Sequence, residues 1–343
     1  PVFLFARPLL LASGQAPEVA ALGGAYLAIA GFGLGPALLV MVLKAYLAAL
    51  GRTQVVLWVT VAAVFVNIVL NWVFIFGNLG VPSLGARGAA ISSVTVQVFT
   101  LVVILAYAAR LPELRRYALL ARFWRPDWVA MRRVNALGMP IGLAMMAESG
   151  LFAASALMMG WLGTQALAAH SIALEVTAMF FMIHMGLSNA ATVLVGRARG
   201  RRDPEGLRAV ARAALILSML VALVTMSVYL GAGELIVGAF LSPDDPQRAL
   251  IVPLGATLLM VAALFQLADG GQAMAMGLLR GIQDTKMPLF IAAVSYWLIG
   301  IPLSYALAFL AGFEGVGLWF GMVAGLSVAA LALLVRFWRA VRA

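Results

Sequence analysis

The sequence predicts an all-α, polytopic membrane protein built as two helical bundles related by a parallel internal repeat. Three observations carry this. Of the 343 residues, 64% are hydrophobic and 10% charged, with a mean hydropathy of +1.05, against about 25% charged in an ordinary soluble domain. The apolar residues fall in runs of about 20 or more, the length a helix needs to cross a hydrocarbon core, with no barrel-like alternation. Basic residues crowd into every other loop. Cysteine is absent, which removes disulfide and thiol chemistry. A net charge of +10 could suit a nucleic acid, but its distribution serves membrane orientation, so no nucleic-acid partner is expected.

The stretch 1–11, PVFLFARPLLL, is too short to span and lacks a signal-peptide pattern, so it reads as the tail of a helix. Nine full apolar segments follow, at about 18–49, 54–76, 86–109, 131–161, 165–196, 207–240, 249–280, 287–311 and 315–337. One set of loops carries Arg52, the arginines of 110–133 and of 197–212, Arg280 and Lys286, and the C-terminus adds Arg336, Arg339 and Arg342. The other set holds only Arg87 and Arg248, with Arg7 near the start, beside Asp244, Asp245 and Glu314. The positive-inside rule makes the first set and the C-terminus cytoplasmic. The expected location is a bacterial inner membrane.

The longest polar stretch, 110–133, mixes Arg, Trp and Phe as an amphipathic helix on an anionic inner leaflet would. It also marks the boundary between the bundles. A weak repeat supports that boundary. LAALGRTQ at 47–54 resembles GLLRGIQDTK at 277–286, and GARGAA at 85–90 parallels FEGVGLW at 313–319. Pairing Gly51 with Gly281 and Gly88 with Gly317 gives offsets of 230 and 229 at the same orientation, the mark of a parallel repeat. The second copy reads as six segments. By the same offset the first copy is short of about a hundred residues, or three helices.

Four carboxylates fall within apolar segments: Glu148, Glu175, Glu234 and Asp269. A charge at mid-membrane costs at least about 2.5–3.5 kcal/mol, so such a residue marks a functional site by default. Glu148 anchors GMPIGLAMMAESGLFAASALMMGWLG at 138–163, and Asp269 is also near mid-helix, whereas Glu234 lies near an outer end. Glu148, Glu175 and Asp269 share the second bundle and can form one cation or proton site. His170 and His184 flank Glu175 and read as packing residues. Of the frequent methionines, Met145, Met146 and Met179 are candidates, with Phe265, for an adaptable substrate-binding wall. HExxH, GxSxG and aspartate-rich prenyl-transfer motifs are absent, so no enzyme activity and no cofactor are expected. GFGLGP at 31–36 lies inside a spanning helix and is no dinucleotide loop.

With these residues in view, the chain resembles the multidrug and toxic compound extrusion (MATE) transporters, specifically their NorM-like branch. The resemblance runs over QAPEVAALGGAYL (15–27), LAALGRTQ with NIVLNWVFIFG (67–77), GMPIGLAMMAESG (138–150), AAHSIALEVTAMFFMIHMGLSNAATVLVGRARG (168–200) and LADGGQAMAMGLLRGIQDTKMP (267–288). It implies a two-lobe bundle of twelve helices. Here 1–110 would be a partial N-terminal lobe (the end of helix 3 and helices 4–6), 111–133 a cytoplasmic linker and 134–343 the C-terminal lobe (helices 7–12). It also implies that Glu148 and Asp269 bind Na⁺ or H⁺, with Glu175 standing where the family expects an amide. The implied function is cation-coupled export of amphipathic, often cationic, organic compounds by a monomer that contacts membrane lipid. The alternative in the same superfamily is a lipid-linked oligosaccharide flippase.

Overall fold

The computed structural model describes residues 5–12, 17–110 and 126–342. Among them, nine helices are long and apolar enough to cross a membrane. The amphipathic helix expected over 111–133 falls mainly on 111–125, outside the described residues. Residues 128–133 instead form the first turns of a spanning helix that starts at Trp128. The chain divides into two compact units, Pro1–Pro126 and Asp127–Ala343.

In the first unit, α1 (Ala6–Ala12) precedes α2 (Pro17–Ala49), α3 (Thr53–Phe76) and α4 (Ala86–Arg110). Val40, Leu43, Leu47, Val59, Ile104 and Ala108 form its apolar core. Lys44, inside the α2 span, donates from Nζ to Thr60 Oγ1 of α3 at 3.0 Å, which gives the ammonium a polar partner within an apolar face.

The second unit holds α5 (Trp128–Leu162), α6 (Thr164–Gly200), α7 (Pro204–Ala239), α8 (Arg248–Gly281), α9 (Lys286–Leu310) and α10 (Glu314–Arg342). Asp127 starts α5 by accepting the Val129 and Ala130 N–H groups, and Asp203 starts α7 by accepting that of Gly206 at 2.8 Å, ahead of Pro204 in the first turn. Arg248, one of the few cations on its side, has a local use. Its guanidinium donates to the carbonyls of Gly238 and Leu241 at 2.7 Å and so caps α7.

Helix α8 is the axis of this unit. Half of its apolar window is buried, as is that of α10, against 28% for α6 and α7. Ser188 Oγ of α6 donates to Ala273 O of α8 at 2.7 Å, and Thr192 Oγ1 to Gly277 O at 2.8 Å. These bonds hold α6 against α8 where glycine permits close approach: a Cβ at Gly277 would lie 2.7 Å from Ser188 O.

Helix α9 was expected to be an uninterrupted segment. It alternates instead between α-helix and two wider π-helical stretches, Val294–Gly300 and Ala306–Leu310. Pro302, in the short α-turn between them, offers no N–H to the preceding turn. A Cβ on Gly325 of α10 would sit 2.8 Å from Gly300 Cα, so the two helices touch backbone to backbone here.

The repeat is visible locally at one of its two glycine pairs. A Cβ on Gly88 would strike the backbone of Phe74 and Ile75, and one on Gly317 would strike that of Leu307 and Ala308. Each glycine thus lets a helix start hard against the end of its predecessor. At the other pair the register slips. Gly51 closes α2 in a left-handed conformation (φ 82°), whereas the left-handed residue closing α8 is Gln283 (φ 61°), two places beyond Gly281.

Candidate functional site

A cavity of about 360 Å³ opens among α5, α6 and α8. Glu148, Glu175, Asp269 and Phe265 line it together with Phe152, Ser171, Leu174, Thr177, Ala178 and Phe181. Glu148 is half-buried, Glu175 is exposed and Asp269 is 4% exposed. Glu175 therefore belongs to the open side and Asp269 to the depth. Among the described residues no three His, Asp or Glu side chains are grouped to hold one metal ion. The three acids share a cavity without forming a single three-ligand set. Glu234 is exposed and does not line it.

Glu148 and Asp269 are placed by their helices and by what packs beside them. The indole N–H of Trp297, in the first π-helical stretch of α9, donates to Ala147 O at 3.2 Å and fixes α5 one residue before Glu148. Gly150 makes room for that ring, since a Cβ there would lie 2.6 Å from Trp297 Cζ2. Gln266 and Gln272 stand three residues either side of Asp269 on the buried face of α8. Both Gln266 amide atoms and Asp269 Oδ1 are buried without a hydrogen-bond partner among the described residues, and the Tyr296 hydroxyl lies beside the Gln272 amide. Tyr296 lies within electrostatic reach of Glu148, Asp269 and Arg280. Native interiors leave few buried polar groups without a partner. Asp269 Oδ1, an acceptor deep in the cavity with no donor beside it, is an oxygen that a proton or a cation could meet.

The apolar wall is an aromatic chain that runs from the cavity into the core. Phe152 meets Phe265 edge-on with centroids 6.1 Å apart, Phe265 meets Trp319 at 5.4 Å, and Trp319 meets His170 at 5.7 Å. Trp319 Nε1–H donates to His170 Nδ1 at 3.1 Å, which leaves the ring proton on Nε2, 3.4 Å from Ser155 Oγ. Both expectations of packing histidines fit what is seen. His170 and His184 are fully buried, and His184 Nδ1 lies 2.9 Å from Ser218 Oγ.

Met145, Met146 and Met179 do not line this cavity; they are exposed, at 49%, 70% and 55%. For Met146 the reason is helical phase, because a residue two places from Glu148 points to another side of α5. Phe152, Ser171, Leu174, Ala178 and Phe181 were not singled out from the sequence. Phe152 is four residues after Glu148, and Ser171 and Ala178 are four before and three after Glu175. A search at helical spacing from each acid would have found these three, but not Leu174 or Phe181.

Comparison with known proteins gives the context. A model of the MatE family matches residues 2–73 and 140–306. The chain is 44% identical over 337 residues to the Probable multidrug resistance protein NorM of Agrobacterium fabrum, covering 98% of this chain and 72% of that protein. It is 44% identical over 342 residues to the protein of the same name from Rhizobium meliloti, covering 100% and 73%. The fold matches the crystal structure of the eukaryotic MATE transporter AtDTX14 with a TM-score of 0.85 at 21% identity, over 99% of this chain and 75% of that one. With the family model matching most of its length, this chain belongs to the MatE family, in its NorM-like branch.

Proposed function

We propose that this protein is a cation-coupled exporter of amphipathic, often cationic, organic compounds. The single observation that carries the proposal is the meeting of Glu148, Glu175 and Asp269 in one cavity of the second unit, with Asp269 buried and one of its oxygens unpartnered. The Arg280 guanidinium lies within electrostatic reach of Glu148, which leaves Asp269 as the buried carboxylate in need of a positive partner, because an uncompensated buried charge is costly. Na⁺ and H⁺ can each supply it, and Glu148 and Asp269 are the residues assigned to hold them. Glu175, at the open side, is assigned to capture the ion. An organic cation that competes for the same carboxylates would couple its own departure to ion entry. The relatives' name, multidrug resistance protein, supports a broad substrate range.

The proposed setting is a bacterial inner membrane with the C-terminus in the cytoplasm, which the alternating loop charges support. The division of labour proposed is 127–343 as the ion-binding lobe and 1–110 as the partner lobe, with the linker ending before Asp127, in a monomer. The flippase reading calls for basic residues to hold a lipid-linked diphosphate, and the charged residues lining this cavity are all acids.

The test is dye export by the protein reconstituted in proteoliposomes, with a Na⁺ gradient at fixed pH and a proton gradient at fixed Na⁺. Glu148→Gln and Asp269→Asn keep size and hydrogen bonding but cannot ionise, so both should lose gradient-driven transport while inserting normally. Transport at the parental rate by both variants would overturn the proposal.

A further inference from the structure

We infer that the second unit carries a separate binding site for the phosphate headgroup of an anionic phospholipid, at the end of the bundle opposite its outer loops. A cavity of about 610 Å³ lies where the C-termini of α6, α8 and α10 meet the N-terminus of α7. That size is ordinary for a ligand site. Arg199, Arg202 and Arg336 line it together with Asp203 and Asp284, and Leu207, Ile282 and Val341 form the apolar side.

The charges there are unequal in availability. Arg336 Nε is 2.9 Å from Asp284 Oδ2, so that pair neutralises itself. Asp203 is engaged as the cap of α7 through Oδ1, while its Oδ2 lies 3.9 Å from Arg201. Arg199 and Arg202 have no side-chain hydrogen bond or ion pair among the described residues, and both are exposed. Two free guanidinium groups, each a planar fork of donors, suit the oxygens of one phosphate.

Their placement is built into the backbone. Helix α6 closes with the Asp203 N–H on Ala198 O and the Arg202 N–H on Arg199 O, each at 3.0 Å. That closure puts Arg202 at φ 56°, where glycine is usual. A left-handed backbone is unfavourable for a residue with a Cβ, yet an arginine occupies it here, exposed and in the cavity wall. Gln283, a second wall residue, closes α8 in the same way at φ 61°.

The apolar wall decides between a lipid and a free anion. Leu207 and Ile282 are buried side chains continuous with the membrane-spanning core, and Val341 faces them from the last turn of α10. A glycerol backbone and the first carbons of an acyl chain can lie on this wall while the phosphate meets the arginines. Basic pockets between helix ends on the cytoplasmic side are where such headgroups bind. The inference uses the sidedness proposed above but not the transport cycle.

The test is native mass spectrometry of the detergent-solubilised protein titrated with phosphatidylglycerol, with phosphatidylcholine of the same chains, and with inorganic phosphate. Phosphatidylglycerol should be retained and phosphatidylcholine lost. Arg199→Gln with Arg202→Gln should weaken retention about 25-fold, at about fivefold per arginine, without moving the melting temperature. Arg199→Lys with Arg202→Lys should recover part of the binding, and Arg132→Gln with Arg133→Gln, on exposed turns of α5, should change nothing. Equal retention of both lipids, indifference to the paired glutamines, or displacement of phosphatidylglycerol by millimolar phosphate would each overturn the lipid assignment. Detergent solution has no sides and no gradient, so failure here leaves dye export in proteoliposomes to be judged by itself.

Discussion

Replacing Gly270 by alanine tests how tightly the acid-bearing helix is seated. A Cβ at this position would lie 2.6 Å from His184 Cε1 and 2.7 Å from Nδ1. The imidazole has little room to retreat, since it is fully buried and held by Ser218 at 2.9 Å. Ser218 Oγ also lies 3.4 Å from Gly270 O as a donor, so its one proton goes there and His184 Nδ1 carries the ring proton. Alanine gains about 1 kcal/mol over glycine in helix propensity. Against that stand about 1–3 kcal/mol for overpacking and about 1–3 kcal/mol for breaking a buried hydrogen bond. Packing wins, and the net loss is about 3 kcal/mol. For a domain of 150–250 residues this lowers Tm by about 6–12 °C. His184→Ala by itself should cost a similar amount through the space it leaves. In the double variant the new methyl group occupies that space, so the losses should fall short of their sum by about 1–2 kcal/mol. Thermal melts of the four proteins in one detergent provide the cycle. Additivity within about 0.5 kcal/mol would refute the claimed contact.

Trp319→Phe keeps the aromatic chain but strips the donor from His170 Nδ1, a loss of about 1–3 kcal/mol in the same melts. Gly317→Ala places a methyl group 2.6 Å from the Leu307 carbonyl carbon, and backbone cannot rotate away, so expression of folded protein should fall with a cost of about 1–3 kcal/mol. Asp203→Ala removes the α7 cap and should cost about 0.5–2 kcal/mol, whereas Asp203→Asn should cost little. Single cysteines at 201 and 244 in intact cells should be closed and open, respectively, to an impermeant thiol reagent added outside. The reverse pattern would invert the topology. Glu175→Gln should reduce gradient-driven dye export less than Glu148→Gln, and an equal or greater loss would remove its proposed position at the entrance.

The amino-acid sequence by itself determined the class of fold. Nine apolar runs of spanning length can bury their backbone polar groups in lipid only as helices, and the charge alternation is a property of composition that needs no coordinates. The acids were legible for the same reason, because a carboxylate in an apolar run stands out against its surroundings. The family followed from motifs around those acids. Tertiary structure decided what periodicity leaves open. Spans that are apolar on nearly every side give no dominant face, so the expectation that Glu175 shares a site with Glu148 and Asp269 came from their common bundle, and only the packing of the helices shows that they line one cavity and that Met146 and Met179 do not. The two π-helical stretches of α9, and the backbone contact between Gly300 and Gly325 at the end of the first, involve residues distant in sequence and leave no mark in the apolar pattern. The slipped repeat register at Gln283 was hidden because a left-handed residue is legible only when it is glycine. The arginine cavity was invisible as well, since four helix ends must meet before Arg199, Arg202 and Arg336 become neighbours of one space.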